Sequence, residues 1–362
     1  ITRRQYLVRI LSTNRIILLT FAWALLSIIW SDAKEIAAHR ILGTLLVAAL
    51  TLLIVSLPAR RIVGILLIVT GIIMIINYLG VIFVPGRALN HEGMWKGLHM
   101  QKNNAGYFCA ISALLWLFMG YSRKNFWLLI GGVAWGLFLI FTHSRTSIIL
   151  FLFMLPLGFL FSKGLRLGFD LRISLLLLWF GGLVIPLFFC LAFTLGAGFF
   201  GDKIYSFIDW TFTGRTEIWQ FVWKSIFQSP FLGTGYGSFW AIGDRSPALL
   251  NASAFVAQYT EAHNGYLDVL VSLGAIGLLL IVAALVQPYY ALLNYKSSQA
   301  DTSTHEVLLC ALLLLTFGIL QSGFESTLLQ SGNPLWTLML LSIWIISRIL
   351  SNEGYYHARQ QP

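Results

Sequence analysis

Three side chains that could carry a group-transfer reaction lie in polar segments between long apolar stretches. Arg145 stands in HSRT, Arg215 in TGRTE and His263 in EAHN. A neutral imidazole is well suited to accept a hydroxyl proton near neutral pH, and guanidinium groups bind phosphate through paired hydrogen bonds. We therefore interpret His263 as a candidate general base and the two arginines as candidate ligands of a pyrophosphate leaving group.

His263 also has a simpler interpretation. A histidine that opens an apolar span is commonly an interfacial residue bonded to a backbone carbonyl, and for an isolated histidine this interpretation is favoured. Glu261 and Asn264 are near enough in the sequence to orient the imidazole, which strengthens the functional interpretation. Both interpretations stay open at this point.

The two arginines have structural alternatives as well. Arg145 could form an ion pair with an outer carboxylate, and Arg215 could pair with the nearby Asp209 or Glu217. Arg215 is expected in the first turn of a helix, where free amides and the helix dipole attract phosphate. That position favours anion binding.

Four further residues are candidates for supporting roles. Lys102 and Asn103 stand in MQKNNAG directly before a span, where a lysine can also simply reach into the membrane interface. Tyr236 lies in the glycine-rich turn GTGYG, and Glu325 lies between the last two spans. Glu325 is either a carboxylate that supports the site or a solvated end cap.

No metal or other cofactor is expected from the motifs. The sequence has no HExxH, no Cys/His zinc spacing and no GxSxG nucleophile elbow. The three cysteines (Cys109, Cys190 and Cys310) all fall in apolar stretches, so they are interpreted as small core residues.

The composition requires a membrane setting for these residues. Charged residues make up 10% of the 362 and hydrophobic residues 58%. Soluble domains average roughly 25% charged residues, and disordered chains have low hydrophobicity. Both classes are excluded, which leaves an all-α polytopic membrane protein.

About ten stretches are long enough to cross a bilayer as helices. They are residues 15–31, 40–57, 61–84, 104–121, 125–142, 146–162, 172–197, 264–294, 305–324 and 334–350. They divide the chain into an N-terminal bundle (1–198), a large outer loop (199–263) and C-terminal helices with a cytoplasmic tail (264–362).

The net charge of +10 is mainly a topology signal. With a cytoplasmic N-terminus, the inner side holds 14 basic and four acidic residues, and the outer side holds ten of each. A nucleic-acid partner is not expected, because no basic stripe with base-reading elements is present. Arg145 and Arg215 lie on the outer side, where anchoring does not explain them.

The outer loop has recognisable local structure. Residues 210–230 predict an amphipathic helix lying in the membrane interface, capped at Thr213 or Gly214. The glycine-rich turn at 233–237 allows close backbone approach, and the spacing of Gly274 and Gly277 predicts a helix-packing face in the next span.

Several motifs in order resemble the O-antigen ligase and polymerase superfamily. They are GLHMQKNNAG, FTHSRT, TGRTEIW, PFLGTGYGSF, AHNGYLDVLVSLGAIG and the final ES…NPLW, spanning roughly residues 90–340. The last element is closer to exopolysaccharide polymerases of this group. Where many members have HKN, this chain has Gln101-Lys102-Asn103, so only Lys102 and Asn103 are carried over.

The resemblance implies a GT-C-like membrane glycosyltransferase of about twelve spans, so about two are expected before Ile1. It implies a multi-pass protein of the bacterial inner membrane whose periplasmic site transfers glycan from undecaprenyl pyrophosphate to a glycan or lipid-linked acceptor. Transfer would be metal-independent and inverting, with Arg145 and Arg215 on the pyrophosphate and His263 as base. Membrane lipids and a chain-length regulator are the other expected partners.

Three functions remain open. Polymerisation of exopolysaccharide or O-antigen repeat units is favoured over ligation of finished glycan to lipid A-core. A transporter or flippase for lipid-linked sugars is the alternative of another class. It predicts polar residues within the spans and paired broken helices, which the sequence does not indicate.

Overall fold

A computed structural model describes residues 3–167, 215–293 and 302–359. Its regular elements are helices, with one isolated bridge between Leu89 and Trp95, and the predicted all-α fold class is confirmed. The helices are α1 (Arg3–Thr13), α2 (Arg15–Leu26), α3 (Lys34–Val55), α4 (Ala59–Phe83), α5 (Pro85–Ala88), α6 (Lys102–Arg123), α7 (Phe126–Phe141), α8 (Arg145–Leu167), α9 (Arg215–Ile226), α10 (Pro247–Asn251), α11 (Gly265–Leu292), α12 (Thr302–Gln321) and α13 (Pro334–Arg359).

Seven of the described helices are long and apolar enough to cross a membrane. They are α3, α4, α6, α8, α11, α12 and α13. A pair bent by 81°, Leu7–Thr13 with Arg15–Trp30, could form an eighth span, and α7 is apolar but shorter. The predicted span 172–197 lies outside the described residues, so the count of ten stays a prediction.

The chain forms two compact units, each built from distant segments. Unit 1 comprises Ile1–Leu50, Leu176–Tyr290 and Ser322–Thr337, and unit 2 comprises Thr51–Leu175, Ala291–Gln321 and Leu338–Pro362. The division at residues 198 and 263 stays a prediction about sequence segments.

Unit 2 is organised around α6 and α12. In the most apolar stretch of each helix, 78% of the residues of α6 and 83% of those of α12 are buried, against only 28% of those of α4. Helix α6 packs against α7, α8 and α12. Ile68, Ile72 and Ile75 of α4 are exposed at helical spacing, which suits contact with lipid. Arg123 and Glu306 form an ion pair of 2.8 Å between α6 and α12.

Unit 1 contains the predicted loop helix, α9, but the groups that surround this helix differ from those predicted. Ile218 and Val222 are buried in a cluster with Phe239 and Trp240 of the same loop. The apolar face of α9 is therefore covered by protein, not by lipid in the membrane interface as predicted. The predicted cap at Thr213 or Gly214 lies outside the described residues.

Helix α11 is interrupted at Gly274, whose φ of 68° and ψ of −172° are not helical. The loop after α9 satisfies the backbone groups at this break. The amide of Thr234 donates to the Val271 carbonyl at 3.0 Å, and the amide of Ala275 donates to the Pro230 carbonyl at 2.8 Å. Backbone groups in an apolar setting need such partners, so the loop allows the helix to break.

This break corrects the predicted packing face at Gly274 and Gly277. A Cβ added at Gly274 would lie 2.1 Å from the carbonyl oxygen of Phe231. The close neighbour of Gly274 is therefore the loop after α9, and glycine is required both by the contact and by the positive φ. The turn at 233–237 does approach another backbone closely, as its glycines suggested, because the amide of Gly235 donates to the Ser272 carbonyl at 2.9 Å.

Gly274→Ala is expected to destabilise the protein by at least about 2 kcal/mol, because this backbone conformation is nearly restricted to glycine. The measurement is unfolding of the protein in lipid nanodiscs. Gly136→Ala in α7 is the matched control, because a Cβ there meets nothing within 4 Å. If the two variants were equally stable, the account of the break would be wrong.

Candidate functional site

A buried ion pair joins the start of α9 to the turn between α12 and α13. Arg215 Nη2 lies 2.7 Å from Glu325 Oε1, and both side chains are at most 10% exposed. The guanidinium also donates to the carbonyl of Phe324. The structure thus pairs Arg215 with a carboxylate far away in the sequence, not with Glu217 as the local alternative proposed.

His263 joins this pair through the second oxygen of Glu325. Its Nδ1 lies 3.0 Å from Glu325 Oε2 and 3.2 Å from Glu261 Oε1. His263 has a φ of 50°, and Asn264 then caps α11 by accepting the amides of Tyr266 and Leu267 at 3.0 and 3.1 Å. A non-glycine residue with positive φ is uncommon and often marks a functional turn. Of the two predicted partners of the imidazole, Glu261 contacts it as expected. Asn264 instead caps the first turn of α11.

The turn that carries His263 is held by two contacts that the sequence analysis missed. Trp219 Nε1 donates to the Ala262 carbonyl at 2.9 Å, and the Ala262 amide donates to Asp268 Oδ1 at 3.1 Å. Asp268 also accepts from Trp240 Nε1 at 2.7 Å. An acidic residue in the first turn of α11 was the available signal, since helix N-termini favour carboxylates.

The charge state of Glu325 determines how His263 is protonated. Burial alone would raise the pKa of Glu325, but Arg215 and His263 outweigh it and lower this pKa below its ordinary value. An ionised carboxylate only accepts hydrogen bonds, so Nδ1 of His263 must donate to it. In the neutral imidazole the lone pair is then on Nε2, which makes Nε2 the proton acceptor.

Glu261 has the opposite electrostatic character. Burial raises its pKa to about 7, and the nearby Glu325 and Asp268 carboxylates add to this effect while His263 and Arg215 oppose it. Glu261 can therefore exchange a proton near neutral pH beside the imidazole. Two carboxylates on one histidine thus have different roles, because Arg215 contacts only one of them.

The same three side chains could also meet the geometry of a metal site. One ligand atom each from Glu261, His263 and Glu325 lie within 4.8 Å of one another. The guanidinium of Arg215 already neutralises Glu325 and would repel a cation nearby. Independence from metal stays a prediction, which a chelator tests.

The remaining predicted residues are distributed over both units. Tyr236, in unit 1, is buried, and burial raises its pKa to about 12. Its hydroxyl bonds to Thr44 Oγ1 at 2.7 Å and donates to the Leu329 carbonyl, and its supporting role stays a prediction. Arg145, in unit 2, is exposed at the first position of α8. Its role stays a prediction.

Lys102 and Asn103, also in unit 2, open α6. Lys102 Nζ lies 3.6 Å from Glu92 Oε2 and donates to the sulfur of Met94. These contacts agree with a residue that positions its own loop, and the supporting roles of Lys102 and Asn103 stay predictions.

Comparison with known proteins confirms the family resemblance. Residues 130–282 match the family model described as O-antigen ligase. A 93-residue stretch is 30% identical to the exopolysaccharide production protein ExoQ of Rhizobium meliloti (strain 1021), covering 25% of this chain and 21% of that protein. The chain therefore matches about a fifth of this relative's length. The family match includes Arg145, Arg215 and His263 but not Glu325.

Arg215→Met is expected to destabilise the protein by about 3–5 kcal/mol, because it leaves the Glu325 carboxylate buried without its counter-charge. The double variant Arg215→Met/Glu325→Gln should recover much of this loss. Unfolding in nanodiscs is measured for the wild type, for Arg215→Met, for Glu325→Gln and for the double variant. Lys224→Met, on the exposed side of α9, is the control. Strictly additive effects would contradict the pairing.

Glu261→Gln tests the proton affinity of Glu261. Because the folded-state pKa is about 7 against an ordinary 4.5, this group stabilises the folded protein fully below about pH 4.5, and the contribution is lost as the pH rises to about 7. We expect the stability of the Gln variant relative to wild type to increase across this window and to level off above it. A difference that is constant from pH 4.5 to 8 would contradict the raised pKa.

Proposed function

We propose that this chain, a member of the O-antigen ligase and polymerase family, is an inner-membrane glycosyltransferase. It transfers glycan from undecaprenyl pyrophosphate to an acceptor sugar hydroxyl at the periplasmic face, and it polymerises exopolysaccharide or O-antigen repeat units. The observation that carries this proposal is the contact of His263 Nδ1 with Glu325, 3.0 Å long, because it leaves Nε2 free to act as a base.

The proposed step is a single displacement. Nε2 of His263 takes the proton of the acceptor hydroxyl while the hydroxyl oxygen forms a bond to the anomeric carbon of the donor. The bond from that carbon to the pyrophosphate oxygen breaks, and the pyrophosphate leaves with the electron pair. Attack from the side opposite the leaving group inverts the anomeric centre. The imidazolium that forms is stabilised by the ionised Glu325.

Arg215 and Arg145 are proposed to bind the departing pyrophosphate. Arg215 uses one donor each on Phe324 and Glu325, and a guanidinium has five N–H groups, so others remain for a ligand. Arg145 is exposed at the first position of α8, where an anion is favoured. Cations placed where charge develops are commonly a large contribution to catalysis, roughly 10²–10³ per donor.

Ligation of finished glycan to lipid A-core is the second candidate. It is favoured by the match to the O-antigen ligase family model, whereas the similarity to the exopolysaccharide production protein ExoQ favours exopolysaccharide production. Both reactions use the same donor chemistry at the same residues. They differ in the acceptor and therefore in the product.

Reconstituted protein with undecaprenyl-pyrophosphate-linked glycan separates the two candidates. We expect a ladder of lengthening glycans, which indicates polymerisation, whereas a single transfer onto lipid A-core would indicate ligation. Transport of the lipid-linked sugar without any new glycosidic bond would refute the transferase.

Transfer activity should survive excess chelator, because no metal takes part in the proposed step. Inhibition by chelator that added Mg²⁺ reverses would refute metal independence.

His263→Ala should lower the transfer rate by roughly 10²–10⁴-fold with little change in donor binding, because it removes the base. Glu325→Gln should lower the transfer rate by less than His263→Ala does and should change the pH–rate profile, because the imidazole remains but its ionised partner is gone. His91→Ala, an exposed histidine, is the matched control. Near-normal turnover of His263→Ala in well-folded protein would remove it as the base.

A further inference from the structure

Unit 1 contains a cleft of about 340 Å³ that shares one wall with the candidate site. Glu261 lines the cleft and also contacts His263 Nδ1 at 3.2 Å. Ligand pockets commonly have volumes of roughly 300–1,000 Å³, so the cleft is large enough for a small ligand. Its lining comes from Arg40 of α3, from the loop before α11, from the first half of α11 and from the turn between α12 and α13.

The arginine, the aspartate and the tryptophan of the cleft are already engaged with the protein. Arg40 donates to the carbonyls of Gly237, Trp240 and Ala241. The indole nitrogen of Trp240 donates to Asp268, as described above. Arg40 is the one cation among the lining residues, and these three carbonyl contacts hold it as a structural brace. The cleft is therefore poorly suited to a phosphate.

The groups that remain available are neutral hydrogen-bonding side chains and one carboxylate oxygen. The side chains of Thr260, Ser272 and Gln330 make no hydrogen bond to the described part of the chain, and all three line the cleft. Glu261 uses one oxygen on His263 and has a second one left. Hydroxyl, amide and carboxylate groups together can donate to and accept from a polyhydroxyl ligand.

Apolar side chains complete the lining. Val269, Leu273, Leu328 and Leu329 line the same cleft, and a sugar ring presents C–H groups that suit such a surface. A mostly apolar wall with a few convergent polar groups is the usual composition of a small-molecule site. The combination fits a neutral sugar better than a charged or purely apolar ligand.

We infer that this cleft is the acceptor subsite, which binds the neutral terminal sugar of the acceptor glycan next to the contact between Glu261 and His263. The inference rests on the proposed transferase function. The assignment to acceptor and not donor follows from the charges, because the donor brings a pyrophosphate and the cleft offers no uncommitted cation. Glu261 connects the cleft to the candidate site, because one of its oxygens can accept a hydrogen bond from a sugar hydroxyl while the other contacts the catalytic imidazole.

Direct binding tests the subsite without any turnover. His263→Ala protein in lipid nanodiscs is mixed with glucose, galactose or N-acetylglucosamine, and saturation-transfer NMR reports binding. Maltoside and glucoside detergents must be absent, because their head groups are sugars. We expect a saturation-transfer signal for at least one of these sugars, and we expect inorganic phosphate not to reduce it. The signal should be lost in the double variant Thr260→Val/Gln330→Ala. Gln258→Ala, an exposed glutamine of the same loop, is the matched control.

Kinetics then separates this inference from the proposed function. Gln330→Ala in the active protein should raise the acceptor KM by about tenfold, the value of roughly one hydrogen bond, with kcat and donor KM nearly unchanged. Unchanged constants for both substrates in an active transferase would overturn the subsite alone, and a raised donor KM would assign the cleft to the donor. No transfer by wild type with sugar binding intact would refute the transferase and leave only a sugar-binding cleft.

Discussion

The ion pair between Arg215 and Glu325 is the interaction on which the site depends. A carboxylate that is 4% exposed in its side chain can stay ionised only if a counter-charge meets it, and the guanidinium at 2.7 Å supplies that charge. Ionised Glu325 then fixes the proton of His263 on Nδ1. One buried pair thus connects the loop helix α9, the turn after α12 and the start of α11, and it determines which imidazole nitrogen can act as a base.

The interruption of α11 at Gly274 is the second constraint, because it lets one loop serve two purposes. The chain directly after α9 covers the open backbone groups of the break, and the following part of the same loop packs against the helix that bears Arg215. The loop is therefore tied to the transmembrane part of unit 1 by backbone hydrogen bonds. Such ties keep Arg215 and His263 at a fixed separation although a loop of about forty residues joins them.

The sequence was sufficient for the fold class, and it singled out three residues that the structure brings into contact. Long apolar runs have one physical solution in a bilayer, and Arg215, His263 and Glu325 were recognisable because each lies in a polar segment or a family motif. The pairing was not predictable, because Glu325 is 110 residues from Arg215 and local charge suggested Glu217. The break at Gly274 was also missed, since a glycine for helix packing and a glycine for a positive φ look the same in a sequence.

The tautomer of His263 tests the central claim most directly. Nitrogen-15 NMR of histidine-labelled protein in nanodiscs, at a pH where the imidazole is neutral, distinguishes a protonated Nδ1 from a protonated Nε2, with His263→Gln identifying the signal. We predict the proton on Nδ1 and the lone pair on Nε2, and a change of this population in Glu325→Gln. A proton on Nε2 in the wild-type protein would contradict the account.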